Sequence, residues 1–357
     1  VRSSGGIKMN QLGIFDAAPL NARRVVTLNL GLGRDSFAML CLLAERSLWV
    51  DGRAIGPGDV DCVVFSDTGR EWDHSHALIP KARAMCAAMG VRFLILAKGG
   101  DGEKLAAPSS WSDIEARADA GLYHARPDIV TDLNSRKTVV SLGKGDCTDV
   151  HKIRPIRKLI NDISRLRFGL NNIQWPSAIR RGERVRHITI IGIAADESSR
   201  ADKSIAMEES GRAPKFVTES YPLISMGIAK ADEGKILARF GLEAVRKSGC
   251  YMCPYQPLSA YWALSIVNPE AWADVQRYEA ESIAANPNIS INGTKLKGIV
   301  LTIGEQVARW RASNPDATVD AVLNKSYSRC DKAAREQRKH DRATVTVAVG
   351  HRSLMAA

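Results

Sequence analysis

The sequence has no apolar run near the roughly 20 residues that a membrane-spanning helix requires. Its longest, residues 37–44 and 188–195, are less than half that length, so a membrane partner is not expected. No segment joins a basic start, an apolar stretch and a small-residue cleavage site, and a cytoplasmic chain is expected. Seven cysteines are an odd number, in a spacing that matches no secreted disulfide framework, which also suits a reducing compartment. The phosphate-binding pattern G-x-x-x-x-G-K-[ST] is missing, and the dinucleotide pattern G-x-G-x-x-G fails because Ser36 stands where its last glycine belongs. Bulk disorder is excluded by 45% hydrophobic and 25% charged residues. What remains is a globular chain of 357 residues, enough for about two domains.

Fifty Lys and Arg against 39 Asp and Glu leave a net charge of +11, which favours a polyanionic partner such as a nucleotide or a nucleic acid. The surplus is uneven. Residues 151–186 hold ten basic side chains (Lys152, Arg154, Arg157, Lys158, Arg165, Arg167, Arg180, Arg181, Arg184 and Arg186) against Asp162 and Glu183. Residues 325–342 add seven basic and three acidic ones, and the rest of the chain is near neutral. A solvated basic face is the ordinary alternative to a nucleic-acid surface.

Read for organisation, residues 25–30 form a β-rich run followed by a glycine turn and an apolar helical stretch from Ser36 to about Trp49. A second strand over 61–65, a helix over 74–89 and a third strand over 91–97 follow. Strands alternating with helices predict an α/β fold with a doubly wound, mostly parallel sheet. Residues 98–150 carry little periodicity and are expected to be an insertion with little regular structure. Helical periodicity resumes near Pro155, 188–195 suits a central buried strand, and after Tyr221 helices are expected over 229–240, 259–267 and 269–285. The expected division is a tail over 1–20, an α/β domain over 21–228, a helical subdomain over 229–320 and a basic tail over 321–357.

The first chemical motif is Gly31-Leu32-Gly33-Arg34-Asp35-Ser36, between a predicted strand and a predicted helix. Glycines let backbone N–H groups approach an anion, the helix N-terminus supplies positive potential, and Ser36 can cap the helix or bond an oxygen. Arg34 adds a fixed charge for phosphate. An ordinary strand-to-helix turn is the bland alternative. This motif resembles the pyrophosphate loop, Ser-Gly-Gly-Lys-Asp-Ser, of the PP-loop ATP pyrophosphatase superfamily. Asp67-Thr68-Gly69-Arg70-Glu71 at the end of the second strand is similar to the Asp-Thr-Gly-x-Glu signature of its phosphoadenosine phosphosulfate reductase-like branch. Further resemblances keep the family's order: Cys147-Thr148 before Lys152-Ile153-Arg154-Pro155-Ile156, Ile191-Gly192-Ile193 before Asp196-Glu197, Tyr221-Pro222-Leu223-Ile224, and Cys250-Tyr251-Met252-Cys253-Pro254-Tyr255. Together they cover residues 24–281.

The departures are specific. Gly31 replaces the loop's first serine and Arg34 its lysine, and the Glu-Cys-Gly-Leu-His nucleophile motif of sulfonucleotide reductases is missing. The resemblance implies an adenine nucleotide alpha-hydrolase-like domain that binds ATP and Mg²⁺ and transfers AMP to a substrate. Gly31, Gly33, Arg34, Asp35, Ser36, Asp67, Thr68 and Arg200 would bind nucleotide, with Arg34, Asp35 and Asp196 in catalytic roles. Asp196, Glu197 and Arg200 follow the Ile-rich strand, at the edge where open α/β sheets bind ligands. Favourable acids at a helix start explain them equally well.

Cys41, Cys62 and Cys86 lie in apolar segments and read as core residues, whereas Cys147, Cys250, Cys253 and Cys330 lie in polar or turn-rich ones. Cys250-x-x-Cys253-Pro254 suits a redox pair, part of a zinc site or part of an iron–sulfur cluster. Cys147 is the other loop cysteine that the resemblance places near the site. Three thiolates suit a [4Fe-4S] cluster with one open iron, as in cluster-dependent PP-loop enzymes that thiolate tRNA and DNA. His151 keeps a Cys3His zinc site in play, and unligated thiols are the third reading. The partners so implied are a nucleic acid bound through 151–186 and a sulfur donor such as a cysteine desulfurase. A sulfonucleotide reductase or small-molecule adenylating enzyme is one rival, and a catalytically silent binding module is another. His74 and His76 at i, i+2 suit a polar helix start better than a metal pair, and Trp262 and Trp272 suit core packing.

Overall fold

A computed structural model describes residues 18–99, 105–135, 146–183, 185–288, 291, 295–296 and 299–324. Arg184, residues 143–145 before Cys147, Cys330 and nearly all of both expected tails lie outside them. The chain builds an α/β fold on five parallel strands in the order β5-β4-β1-β6-β7. These are β1 (Val26–Asn29), β4 (Cys62–Ser66), β5 (Arg92–Leu96), β6 (His187–Ile191) and β7 (Val217–Ser220). Two short strands, β2 (Leu48–Val50) and β3 (Arg53–Ile55), pair antiparallel apart from that sheet.

β4 is buried at every position and β6 at all but its last, as expected for strands covered on both faces. One core packs Phe37, Leu40 and Leu43 of the Arg34–Ala44 helix with Ala82, Cys86, Ile236 and Leu237. Another packs Ile114 and Ala118 with Ile156, Leu159, Ile160 and Ile163 of the Arg154–Phe168 helix. That helix has Pro155 in its first turn and is stopped by Gly169 in the left-handed region at φ +67°. A third core unites Trp72, Met252, Leu258, Tyr261, Trp262, Val275, Tyr278 and Trp310 around the helices Leu258–Val267, Pro269–Ala285 and Ile303–Ser313. Within it Glu279 accepts the N–H groups of Ile291 and Ile303, tying the last of these helices to the second.

Three expectations change. The first helix ends at Ala44, because Asp51 and Gly52, both at positive φ, turn β2 back into β3. Residues 98–150 are not without regular structure: Trp111–Asp119 is a helix capped by Ser110, and Ile129–Ser135 is another. β7 carries no alternation strong enough to mark it in the sequence, and it forms by pairing with β6.

His187, first residue of β6, is buried with its Nδ1 accepting the Val25 N–H at 2.9 Å and its ring 3.9 Å from that of Trp175. The ring proton therefore sits on Nε2, which has no hydrogen-bond partner among the described residues. Burial, with Arg167 and Arg24 nearby, drives the pKa down to about 3. A base depressed in the fold contributes stability above its unfolded pKa of about 6.5 and loses it as pH falls toward 3. Between pH 6.5 and 4.5 the loss is expected to reach about 2 kcal/mol. Urea denaturation of His187→Asn, which keeps an acceptor, should show an acid limb flatter by about 1.4 kcal/mol per pH unit. An unchanged limb would show that the imidazole is charged in the fold.

Candidate functional site

Strand order reverses between β1 and β6, and in open parallel sheets ligands bind outside the carboxyl ends at such a point. β1 runs into residues 30–33 and then the Arg34–Ala44 helix, with Gly33 as an extended N-cap (φ −116°, ψ 178°). The Ser36 hydroxyl donates to the Gly33 carbonyl at 2.9 Å and accepts the Gly33 N–H at 3.1 Å. Ser36 thus caps the helix and closes the loop on itself. Gly192, following β6, lies against this turn: a Cβ there would stand 3.1 Å from Asp35 C and from Ser36 N. Only glycine lets the two loops meet so closely.

The flanking charges come from distant parts of the chain. Glu197, buried at 3% exposure, takes Arg200 at 2.5 Å and pairs with Lys230. Arg200 also lies 4.0 Å from Asp35. Burial, reinforced by Glu197, raises the pKa of Asp35; burial, reinforced by Asp35, pushes Glu233 up to about 9. Glu233 therefore holds its proton at neutral pH. Arg34 turns from the loop, its Nη1 donating to the Val245 carbonyl at 3.3 Å and its Nε 3.8 Å from Glu233. Asp196 is exposed and accepts the Lys230 N–H at 3.3 Å, so Glu197, and not Asp196, stands beside Asp35.

Residues 67–71 leave β4 as a tight turn. Asp67 accepts the Gly69 N–H at 2.8 Å and faces His76 at 3.4 Å, with Gly69 at φ +78°. Burial works to raise Asp67, but these two bonds outweigh it and hold the carboxyl low. Thr68, also buried, donates to Glu71 at 3.0 Å. Then comes a contact that no local pattern announces. Glu71 bridges antiparallel to Cys250, the Trp72 N–H donates to the Gly249 carbonyl and the Tyr251 N–H to the Arg70 carbonyl. This short pairing carries the Cys-x-x-Cys turn to the sheet edge. Residues 246–249 arrive with it and cover the first loop: a Cβ on Gly33 would meet Ser248 Oγ at 2.6 Å and Ser248 N at 2.9 Å.

Cys147, Cys250 and Cys253 are half-buried, the first two against one core, and lie within electrostatic reach in sequence, Cys147 raising Cys253 and Cys253 raising Cys250. Burial raises both thiols of the pair, while Lys152 lowers them and the Met252 N–H donates to Cys250 Sγ at 3.4 Å. Lys152 also pairs with Glu71 at 3.1 Å. Three thiols with cations and an amide directed at sulfur suit a metal–thiolate centre in kind. Among the described residues no three His, Cys, Asp or Glu side chains stand at ligand spacing, so the thiols would have to draw together on a metal. His151 does not complete the set. Its Nδ1 is 2.9 Å from Lys98 Nζ and its Nε2 3.3 Å from Asp132, leaving no ring nitrogen for zinc.

That lysine forms a buried cluster absent from the sequence reading: Lys98 Nζ also lies 2.7 Å from His124 Nδ1, and burial lowers its pKa to about 7. Of the ten basic residues in 151–186, six form ion pairs, of which those of Arg154 and Arg181 are exposed. Lys152, Arg154, Arg165, Arg167, Arg181 and Arg186 pair with Glu71, Asp149, Asp162, Asp61, Glu183 and Glu208. Arg157 makes no ion pair among the described residues, and Arg180 donates to the Ser177 hydroxyl. Lys152, Arg167 and Arg186 thus join elements distant in sequence, whereas Arg154, Arg165 and Arg181 pair with carboxylates close by along the chain. His74 donates to the Lys247 carbonyl and His76 faces Asp67, so they form no metal pair. Trp262 is buried beside Trp310, with ring centroids 5.5 Å apart, and Trp272 packs on the same core. Among the described residues no helix is long and apolar enough to cross a membrane. No family model, curated protein or solved structure matches the chain.

Proposed function

We propose that the chain is a PP-loop ATP pyrophosphatase that adenylates a substrate, with sulfur insertion into a nucleic acid as the reaction served. The observation that carries this reading is the meeting of a glycine loop and helix N-terminus, a cation-rich crevice and three thiols at one edge of the sheet. The cradle suits a phosphate chain, because Gly31 and Gly33 present backbone without side chain and the helix start supplies positive potential. Asp35 is the loop carboxylate placed to face a Mg²⁺ carried in on the phosphates, and Arg200 and Lys230 stand ready for the charge that develops at the leaving pyrophosphate. A substrate oxygen would attack the α-phosphorus, forming one P–O bond as the α–β bridge breaks, and a sulfur nucleophile would then displace AMP. A [4Fe-4S] cluster held by Cys147, Cys250 and Cys253 would supply an iron open to sulfide, delivered by a donor such as a cysteine desulfurase.

The nucleic-acid substrate rests on the net charge of +11, now narrowed to the basic side chains not spent on internal pairs. Pyrophosphate release from ATP, with and without DNA or RNA, separates this reading from its rivals. Release stimulated by nucleic acid is expected. Release indifferent to nucleic acid would favour a sulfonucleotide or small-molecule substrate, and none at all would favour a silent binding module. Asp35→Ala should weaken ATP binding by about 1–3 kcal/mol, as for a lost charged contact, and unchanged calorimetric affinity would remove the loop from the site.

A further inference from the structure

We infer that Lys247, and not Arg34, is the phosphate-binding cation of the glycine loop, brought to it by the segment that leads into the Cys-x-x-Cys turn. The inference rests on the nucleotide reading above and assigns its anion contact to a residue more than 200 positions from the loop in sequence.

Three observations converge on it. First, Arg34 is committed elsewhere: its guanidinium holds the Val245 carbonyl at 3.3 Å and lies 3.8 Å from the fully buried Glu233. Pulling it onto a phosphate would break the bond to Val245, which ties the first helix to the segment leading into residues 246–249. Second, residues 246–249 are the cover of the loop. Ser248 lies so close to Gly33 that no side chain fits between them, and Gly31 is next, with its Cβ direction 3.6 Å from Ser248 Oγ. The segment is held there by the His74 ring on the Lys247 carbonyl at 2.9 Å and by the Trp72 N–H on the Gly249 carbonyl at 3.1 Å. Third, the Lys247 ammonium faces the crevice charges. It is within electrostatic reach of Asp35 from the first helix, Glu197 and Arg200 from the short helix after β6, and Lys230 from the Lys230–Ala238 helix.

The charge balance of the crevice supports an anion. Arg34, Arg200, Lys230 and Lys247 bring four cations, against Asp35, Glu197 and a Glu233 that holds its proton. Glu197 is already shared between Arg200 and Lys230. Burial lowers Lys247 to about 8, the mark of an ammonium that lacks a full counter-charge. A pyrophosphate group would supply it. A lysine fits this task as a point charge on a flexible stem, where the arginine of the loop itself is held by the Val245 carbonyl.

The test is calorimetric binding of Mg·ATP and of inorganic pyrophosphate to the full chain. Lys247→Met, of similar length and without charge, is expected to lose about tenfold or more in affinity for both, the size of a lost charge-assisted bond. Lys247→Arg should recover most of it, which a merely structural role would not predict, and Arg34→Met should lose less than Lys247→Met. Equal affinity in Lys247→Met and wild type, or a greater loss in Arg34→Met, overturns the inference. If Lys247→Met does not fold, acetylation of the wild-type protein decides the matter: pyrophosphate should protect Lys247 from the reagent, and unprotected labelling overturns the inference. Wild type that binds pyrophosphate but not ATP would refute the nucleotide reading while leaving Lys247 under test, and binding of neither refutes both.

Discussion

Alanine at Gly33 is expected to cost about tenfold or more in ATP affinity, whereas alanine at Gly31 costs little. The two substitutions add the same methyl group to the same loop, so the difference isolates one contact. At Gly33 the new Cβ would stand 2.6 Å from Ser248 Oγ, 2.9 Å from Ser248 N and 3.1 Å from Ser248 Cβ, and backbone cannot yield as a side chain can. At Gly31 the nearest atom is 3.6 Å away, an ordinary contact. The backbone of Gly33 is extended, a conformation alanine also adopts, so no dihedral strain enters. Overpacking of this kind costs about 1–3 kcal/mol. The cheapest relief is retreat of residues 246–249 from the loop, which removes their half of the phosphate cradle. Isothermal calorimetry on both variants, with thermal melting to register the loss of stability, reads the effect. Equal affinities would mean that the segment only covers the loop and takes no part in binding.

Anaerobically purified protein is expected to be brown, with iron and acid-labile sulfide in near-equal amounts, and Cys250→Ala is expected to lose both. Cys250 is the thiol most deeply tied into the site: its residue bridges to Glu71, its sulfur accepts the Met252 N–H, and Lys152 lies beside it. Burial raises its pKa, so the free thiol stays protonated and inert. A metal that binds the thiolate releases that proton and replaces the missing counter-charge, which is why a buried thiol group of this composition gains from ligation. Zinc in a closed four-ligand site would need a fourth donor, and His151 is engaged on both ring nitrogens by Lys98 and Asp132. Colourless protein with one equivalent of zinc would overturn the cluster and demote sulfur transfer. Metal-free protein with three alkylatable thiols would do the same.

Much of the fold was legible in the sequence because its signals are local. Short apolar runs at 25–30, 61–65, 91–97 and 188–195 mark β1, β4, β5 and β6, and the Pro269–Ala285 helix is bounded by Asn268-Pro269 and Asn286. The glycine turn between β1 and its helix is equally local, as is the Asp-Thr-Gly turn after β4. Each is decided by side-chain period and turn chemistry within a few residues. The Asp51-Gly52 hairpin was also written locally but was hidden inside a longer apolar stretch.

What only the tertiary structure decided is which charges meet. By itself the sequence determined that a parallel α/β sheet carries a glycine loop at a helix start, and that cysteines and cations are available. Whether Asp196 or Glu197 faces Asp35 depends on a kink in the short helix after β6, which buries one carboxylate and exposes its neighbour. Whether Arg34 reaches a phosphate depends on the Val245 carbonyl, 211 positions away, which holds its guanidinium at 3.3 Å. The bridge between Glu71 and Cys250 brings residues 246–253 to the loop, and Lys152, Arg167 and Arg186 are drawn onto Glu71, Asp61 and Glu208, carboxylates distant in sequence. Spacing along a chain fixes neighbours within a turn or a strand; electrostatic partners are chosen by sheet order and burial, where a charge left unpaired costs more than the contact that satisfies it.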